Sequence, residues 1–306
     1  MPDDIAVRPP PSLLRRFGRS ETVAGWALVS PGVVLIGIFG LVPVLMSLQL
    51  SFQKSDLLTP ETPWVGLANY RKLAEDPVFV EAIRHTIIYT ALFVPGTMLV
   101  GLLVAAAMNR SLRFISVYRT AAYVTMAVST ISQGIIFLWL TDRDYGLVNA
   151  ALNTVGLPSQ GFLASPSQAL YVIVAMTIWG WTGFSVIVYL AALQGVPPEL
   201  HEAAAIDGAR AFTRFRTITV PLLGPANLFL IVWLTINALQ LFDEVYATTR
   251  GGPLRATTVI VYYLWDRAFV KFDAGYAAAM AYALFVVILV ITGVQFRFAR
   301  KHVHNS

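Results

Sequence analysis

The sequence contains no cysteine and little charge. Without cysteine, disulfide bonds, thiolate metal sites and cysteine nucleophiles are excluded. Charged residues make up 13% of the 306 residues and hydrophobic residues 57%, whereas a soluble domain carries about 25% charged residues. A soluble enzyme and a disordered chain are therefore poor interpretations. The net charge of +5 is too small for a chain of this length to indicate a nucleic-acid partner.

Six long segments of the chain lack Asp, Glu, Lys and Arg altogether. A membrane-spanning helix needs about 20 apolar residues, and each segment is long enough to hold one. The sequence therefore predicts an all-α integral membrane protein whose six-helix domain covers residues 26–300. The predicted spans are about 26–49, 86–109, 120–141, 168–194, 219–242 and 275–297. The first has the basic flank of a secretion signal but exceeds the usual core of about 7–15 residues, so we expect a retained span.

Basic residues fall mainly on one side of the predicted membrane. The two ends of the chain and the connections 110–119 and 195–216 hold 13 basic and 6 acidic residues. The connections on the other side, at 53–84, 142–167 and 243–273, hold 9 basic and 11 acidic residues. Cytoplasmic loops are enriched in Lys and Arg, so the first set is predicted to be cytoplasmic. Both tails, residues 1–25 and 301–306, are then inside.

One cytoplasmic connection, residues 195–225, is rich in helix-forming and charged residues. Two prolines end the preceding span, and alanines favour a thin helix over residues 199–210. Gly208 is expected to break or bend this helix. Acids lie early in it, where the helix dipole favours them, and arginines follow: Glu199, Glu202 and Asp207, then Arg210, Arg214 and Arg216. Residue chemistry leaves open whether this helix docks on another protein or lies on lipid headgroups.

The same connection carries a recognisable string of residues. From Glu202 to Pro221 it reads EAAAIDGARAFTRFRTITVP, which resembles the EAA motif of permease subunits of binding-protein-dependent ABC importers. Val220 stands where leucine is commoner. The segments 66–86, 118–124, 193–209 and 242–253 are similar to the carbohydrate-uptake branch, which includes the maltose and glycerol-phosphate permeases. The chain is identified as a member of that family from about residue 26 to 300.

The resemblance implies that the connection between spans 4 and 5 forms a coupling helix. In such permeases this helix sits in a cleft of a cytoplasmic ATPase subunit and moves with it. The residues carried over to that role are Glu202, Ala203, Ala204, Asp207, Gly208, Arg210, Phe215 and Pro221. The chain has no G-x-x-x-x-G-K-[ST] string, so it lacks a phosphate-binding loop of its own. We expect no cofactor on this chain, with ATP and Mg²⁺ bound by the partner.

The implied assembly lies in the bacterial inner membrane. It contains this non-catalytic permease, a second and similar permease, two copies of the ATPase and an extracytoplasmic substrate-binding protein. The expected cargo is a sugar or a related polyol or glycerol-phosphate compound, moved inward by alternating access. A self-sufficient transporter or channel is a rival interpretation, but the six predicted spans carry no charge at mid-depth. A membrane enzyme is disfavoured, because His85 and His201 fall on opposite sides of the predicted membrane.

The third span departs from the pattern of this family. Prolines often follow the Tyr-Arg start of that span, and here Thr125 and Ser129 stand in their places. A proline frees backbone carbonyls and kinks a helix. Hydroxyl side chains bend a helix only modestly, so a strong kink is not expected.

Polar and aromatic residues within the spans are candidates for a substrate pathway. Carried over from the maltose permeases, the lining includes Ala238 and Leu241, two positions that are polar in that family. A one-step rotation of the fifth span presents Asn237 and Gln240 instead, which share a face. The alternative role for polar residues is hydrogen bonding between helices. The candidates are Thr130, Gln133, Trp181, Phe184, Ser185, Asn237, Gln240 and Leu241.

Two acids, Asp243 and Glu244, follow the fifth span on its outer side. They are placed where they could face the delivering binding protein, and a solvated helix end is the alternative interpretation. The His, Asp and Glu residues of the sequence form no recognisable metal-binding motif.

Overall fold

The computed structural model describes residues 21–56, 59, 61–109 and 113–303. The described chain is helical, and its β-structure is a single antiparallel bridge between Gln53 and Trp64. Four helices are long and apolar enough to cross a membrane, at Gly25–Ser51, Pro77–Met108, Ala169–Gln194 and Ala274–Phe298. Two bent pairs, Ile115–Ala127 with Thr130–Leu140 and Ala211–Leu222 with Gly224–Leu239, raise the number to six when each pair is counted as one span. We number these spans 1 to 6 in chain order. Most of the predicted tails, residues 1–20 and 304–306, lies outside the described residues.

Shorter helices connect the spans. Spans 4 and 5 are joined by one of them, Pro198–Ile206, and another, Asp243–Ala247, follows span 5. The remaining short helices are Ala68–Glu75, Leu147–Thr154 and Ile260–Trp265. Wider π-helical turns lie within span 1, at Gly37–Leu41, within span 5, at Phe215–Thr219, and before span 6, at Asp266–Val270.

Span 2 begins earlier than its uncharged run, which starts at His85. Pro77 occupies the first turn, and the Asp76 side chain caps the helix by accepting hydrogen bonds from the Val78 and Phe79 backbone N–H groups. The first turns carry charged residues, Glu81 and Arg84, which a search for uncharged runs excludes. Their side chains are partly exposed and lie three residues apart, 4.0 Å from each other.

Span 3 is broken rather than gently bent. Its two helices meet at about 100°, so the expectation of a modest bend and of one continuous helix over 120–141 was wrong. Val128 and Ser129 adopt extended backbone conformations between them. The Ser129 hydroxyl then accepts a hydrogen bond from the Ser132 N–H and caps the second helix. The Val128 carbonyl, freed from the helix, accepts from the Gln133 side chain at 2.9 Å.

Span 5 is also bent, by 65°, at Leu223. Its first part begins at Ala211, well before the predicted start at 219, because the polar stretch after Gly208 is itself helical. Pro225 lies in the first turn of the second part, where its missing N–H costs no hydrogen bond. The helix ends at Leu239, slightly before the predicted end at 242. Span 4 agrees with its prediction to within one residue.

The core lies between spans 2 and 4. Tyr89 and Phe93 of span 2 stack on each other and are almost fully buried, beside Ile173 and Val186 of span 4. The two helices approach closely at Gly101, where an added Cβ would stand 2.4 Å from the Cβ of Ser185. Small residues let membrane helices pack in this way.

Span 1 is almost entirely exposed in the isolated chain. Large apolar side chains such as Leu28, Ile36 and Phe39 face outward. Its second half lies against span 6, where the Tyr282 hydroxyl donates to the Val44 carbonyl and lies 3.4 Å from the Ser47 hydroxyl. An apolar surface of this extent requires lipid or another apolar chain around it.

A cluster of polar side chains connects the start of span 2 to span 6 and to the helix Ile260–Trp265. The Asp76 carboxylate accepts hydrogen bonds from the Tyr263 and Tyr276 hydroxyls, at 2.6 and 2.7 Å. Arg267 donates to the Tyr263 oxygen and lies 3.9 Å from the carboxylate. Burial alone would raise the pKa of Asp76, but these hydroxyls and the two backbone N–H groups at the helix start outweigh it, so the pKa is lowered. The cluster therefore holds Asp76 ionised.

Candidate functional site: an exposed loop and a polar cavity

The helix Pro198–Ile206 ends in a well-defined glycine cap. Gly208 has a φ of +79°, the left-handed conformation that residues with a Cβ avoid. Its N–H donates to the Ala205 carbonyl at 3.0 Å, and the next N–H, of Ala209, donates to the Ala204 carbonyl at 2.9 Å. These two bonds form a Schellman motif. The predicted helix break at Gly208 is confirmed, and the helix is shorter than the predicted 199–210.

The loop that follows span 4 presents apolar side chains to its surroundings. Ile206 is 87% exposed and Phe212 is 74% exposed. The three acids, Arg210 and Arg216 are also exposed, whereas Arg214 is half-buried. In the described chain none of Glu199, Glu202 and Asp207 forms an ion pair. The structure places the predicted coupling residues in this loop and in the first part of span 5. Most of them are exposed, and Ala204 and Phe215 are half-buried: Glu202, Ala203, Ala204, Asp207, Gly208, Arg210, Phe215 and Pro221.

Arg214 links the two halves of this loop. Its guanidinium donates to the His201 carbonyl at 3.2 Å, so the start of span 5 is tied to the short helix. This hydrogen bond connects the helix Pro198–Ile206 to the first part of span 5.

Two adjoining cavities lie among spans 2 to 5. The first, of about 250 Å³, is lined by Tyr89, Phe93, Thr130, Trp181, Asn237, Gln240, Leu241, Phe242, Asp243 and Glu244. The second, of about 300 Å³, is lined by Met126, Val128, Thr130, Gln133, Gly180, Trp181, Phe184, Trp233 and Glu244. Thr130, Trp181 and Glu244 belong to both. Together the cavities combine flat aromatic walls with amide, hydroxyl and carboxyl groups.

Aromatic packing fixes the wall between the two cavities. Trp181 makes edge contacts with Phe93 and Phe184, with ring centroids 6.3 and 5.7 Å apart. Phe184 in turn stacks on Trp233 of span 5 at 6.0 Å. Such contacts hold each ring in one orientation. The indole of Trp181 is thus a rigid surface between the cavities.

The break in span 3 brings polar groups to the cavity. Thr130 begins the second helix of that span, and Gln133 follows one turn later. The Gln133 amide fits against Gly180 of span 4, where an added Cβ would stand 2.3 Å from its oxygen. A side chain at residue 180 would displace this amide.

The predicted pathway residues separate into two groups. The cavities bring together Thr130, Gln133, Trp181, Phe184, Asn237, Gln240 and Leu241. Ser185 is fully buried against Gly101 and Ala238 is 1% exposed, and neither lines the two cavities. The Asn237 side-chain N–H₂ donates to the Trp233 carbonyl of its own helix, which leaves its oxygen as an acceptor.

Nine residues that line the cavities were not among the predicted pathway residues, and Tyr89, Phe93 and Glu244 are the most informative of them. Tyr89 and Phe93 are ordinary apolar residues of a span, and sequence carries no signal that they face a cavity. Glu244, by contrast, was assigned to the outer rim of span 5. Helical spacing could not have placed it beside Gln240, because the helix of span 5 ends at Leu239 and Glu244 belongs to the next helix, Asp243–Ala247.

A bundle of apolar spans around a polar, aromatic-walled cavity, with an exposed loop beyond it, defines a membrane transport subunit. The chain matches the family described as "Binding-protein-dependent transport system inner membrane component" over residues 97–303. The chain therefore belongs to this family and is the permease component of a sugar or glycerol-phosphate ABC importer. It is a multi-pass protein of the bacterial inner membrane.

Similar curated proteins cover nearly the whole chain. The lactose transport system permease protein LacF of Rhizobium radiobacter is 35% identical over 95% of this chain and 97% of its own length. The sn-glycerol-3-phosphate transport system permease protein UgpA of Agrobacterium fabrum is 33% identical over 91% and 95%. The sulfoquinovosyl glycerol permease protein SmoG of the same species is 32% identical over 98% and 99%. These relatives are membrane permease subunits and not enzymes.

A solved structure has the same fold. It is a bacterial ABC transporter involved in the import of the acidic polysaccharide alginate, matched with a TM-score of 0.83 and 25% identity over 94% of this chain and 98% of that chain. The described residues of the present chain contain no group of three or more His, Cys, Asp or Glu side chains placed to hold a metal ion.

Proposed function

We propose that this permease moves its substrate inward by alternating access and is driven through the loop after span 4. The observation that carries the proposal is the exposed, glycine-capped helix Pro198–Ile206 together with its tie to span 5. Exposed Ile206 and Phe212 offer apolar contact, and the exposed acids together with Arg210 and Arg216 offer charge-assisted hydrogen bonds. A rigid cap at Gly208 gives the surface one shape.

The partner for this loop is a cytoplasmic ATPase subunit that binds ATP and Mg²⁺. Two lines support it, the resemblance of residues 202–221 to the EAA motif and the membership of the chain in an importer family. The distribution of Lys and Arg supports a topology with both termini and this loop inside. The opposite side then faces an extracytoplasmic substrate-binding protein, and one neighbouring structure is a complex of the alginate importer with its substrate-loaded periplasmic protein.

The cavity among spans 2 to 5 is the proposed substrate pathway in this subunit. Trp181 and Phe184 supply flat apolar faces, and Thr130, Asn237 and Gln240 supply hydrogen-bond partners, which together suit a sugar. The cavity is formed by one chain, and a second, similar permease completes the passage. The exposed apolar spans of this chain provide surface for that contact.

The coupling role is tested by co-purification. Ile206→Asp places a charge on the proposed ATPase contact and should reduce co-purification of the ATPase at least tenfold. Leu254→Asp is the matched control, because Leu254 is 88% exposed and lies in the connection 243–273 on the proposed opposite side. Equal recovery of the ATPase with both variants would contradict the proposal. Recovery of the second permease in both preparations checks that each variant is assembled.

A further inference from the structure

Glu244 stands at the junction of the two cavities. It is carried by the short helix Asp243–Ala247, which folds back against the second half of span 3. The close approach occurs at Gly134, where an added Cβ would lie 3.0 Å from the Cβ of Ala247. Val245 of the same helix is fully buried. The backbone that carries Glu244 is therefore held at one position against the cavity.

The two cavities are lined by acidic side chains and by no basic side chain. Among the residues that line them, Asp243 and Glu244 are acidic, and none is Lys, Arg or His. Neither acid forms an ion pair with any described residue. The other residues that line the two cavities, including Thr130 and Trp181, are neutral.

The basic residues of the same connection are gathered elsewhere. A separate pocket of about 430 Å³ is lined by Arg250, Arg255, Arg267 and Lys271 together with Asp266 and neutral residues. This pocket shares no lining residue with the two cavities. The basic side chains of the segment 243–273 thus lie away from the proposed pathway.

We propose that Glu244 is a specificity-determining residue that selects neutral, polyhydroxylated substrates against anionic ones. The inference rests on the proposed function, because it concerns the substrate that passes through the cavity. An ionised carboxyl accepts hydrogen bonds from sugar hydroxyls, and a protonated one both donates and accepts. The ionised carboxylate is the form that repels an anion.

Electrostatics set the size of the discrimination. A carboxylate about 5 Å from a second negative charge disfavours it by roughly two orders of magnitude at the effective dielectric constant of protein sites. Two relatives with similar identity to this chain are named for substrates of different charge. One is named for lactose, which is neutral, and the other for sn-glycerol 3-phosphate, which is an anion. The acid-only cavity places this chain with the neutral substrates.

The test uses the complete importer in proteoliposomes with its binding protein. The probes are pairs that differ mainly in charge: lactose and lactobionate, glucose and glucuronate, glycerol and sn-glycerol 3-phosphate. Each pair is supplied at concentrations that saturate the binding protein with both members, so that the permease decides the rate. The neutral member of the transported pair should enter at least tenfold faster than the anionic member.

Two single-residue variants test whether Glu244 causes the preference for neutral over anionic substrates. Glu244→Gln keeps the size of the side chain and should narrow the ratio of neutral to anionic uptake at least threefold. Glu81→Gln is the control, because it removes a partly exposed carboxyl from the start of span 2 that lines neither cavity. Faster entry of the anionic member, or a ratio unchanged by Glu244→Gln, would overturn the inference while ATP-driven uptake still supported the proposed function. Absence of ATP-driven uptake of every probe would contradict both.

Discussion

Replacing Gly208 with valine should impair the coupling of transport to ATP hydrolysis. Gly208 adopts φ +79°, and an added Cβ there meets nothing within 4 Å. A side chain at this position therefore destabilises the loop only by straining its backbone, not by a steric clash. The left-handed conformation costs a residue with a Cβ about 1–2 kcal/mol, and a β-branched residue is strongly disfavoured there. A cost of that size lowers the population of the capped loop by about 5- to 30-fold.

A second glycine in the chain provides a matched control. Gly156 also has φ +79° with nothing within 4 Å of an added Cβ, and it closes the helix Leu147–Thr154 with the same pair of backbone hydrogen bonds. Gly156→Val therefore imposes the same strain in the connection 142–167, on the proposed outer side. Gly208→Asn should restore part of the function, because asparagine tolerates the left-handed region.

The assay measures substrate uptake and ATP hydrolysis by the reconstituted importer. Uptake should fall about 5- to 30-fold with Gly208→Val and stay within twofold of the unmodified protein with Gly156→Val, as the population argument requires. Full uptake with Gly208→Val, or an equal loss with both variants, would refute the argument that this cap shapes the coupling surface.

Two further predictions concern the cavity and the polar cluster around Asp76. The double variant Asn237→Ala, Gln240→Ala should weaken uptake affinity by about tenfold, since each lost hydrogen bond costs about 0.5–1.5 kcal/mol; an unchanged apparent affinity in a transport assay would contradict a substrate role. Asp76→Asn keeps a helix-capping side chain but removes the charge, so thermal unfolding in detergent at pH 7 should show a loss of about 1–3 kcal/mol. Because the folded pKa of Asp76 lies below its ordinary value of 3.8, this stabilisation is complete above that pH and is lost as the pH falls through the folded pKa. A difference between the two proteins that persists unchanged at lower pH would show that the charge is not responsible.

Local pattern determined some parts of this fold and not others. The uncharged run of span 4 and the glycine after the helix Pro198–Ile206 are local signals, and both features appear where they were expected. The break in span 3 depends on distant residues, because Gly180 makes room for the Gln133 amide that bonds to the Val128 carbonyl. A search along the chain for proline misses such a contact.

In the cavity, too, some residues could be predicted from local sequence and others could not. Asn237 and Gln240 were recognised as one polar face because their spacing is helical, and both line the cavity. Glu244 follows the end of the same helix, where sequence alone indicates an exposed outer rim. Its actual place depends on the approach of its short helix to Gly134, which is a tertiary contact between segments far apart in the sequence.

The most direct test of the account is uptake by defined assemblies in liposomes. The chain with its second permease, the ATPase and the loaded binding protein should import substrate only when ATP is supplied. Omission of the ATPase should abolish uptake, because the proposed source of energy is a partner that acts through the exposed loop after span 4, and the sequence has no phosphate-binding loop. Substrate uptake by this chain alone, without ATP or the ATPase, would contradict the account.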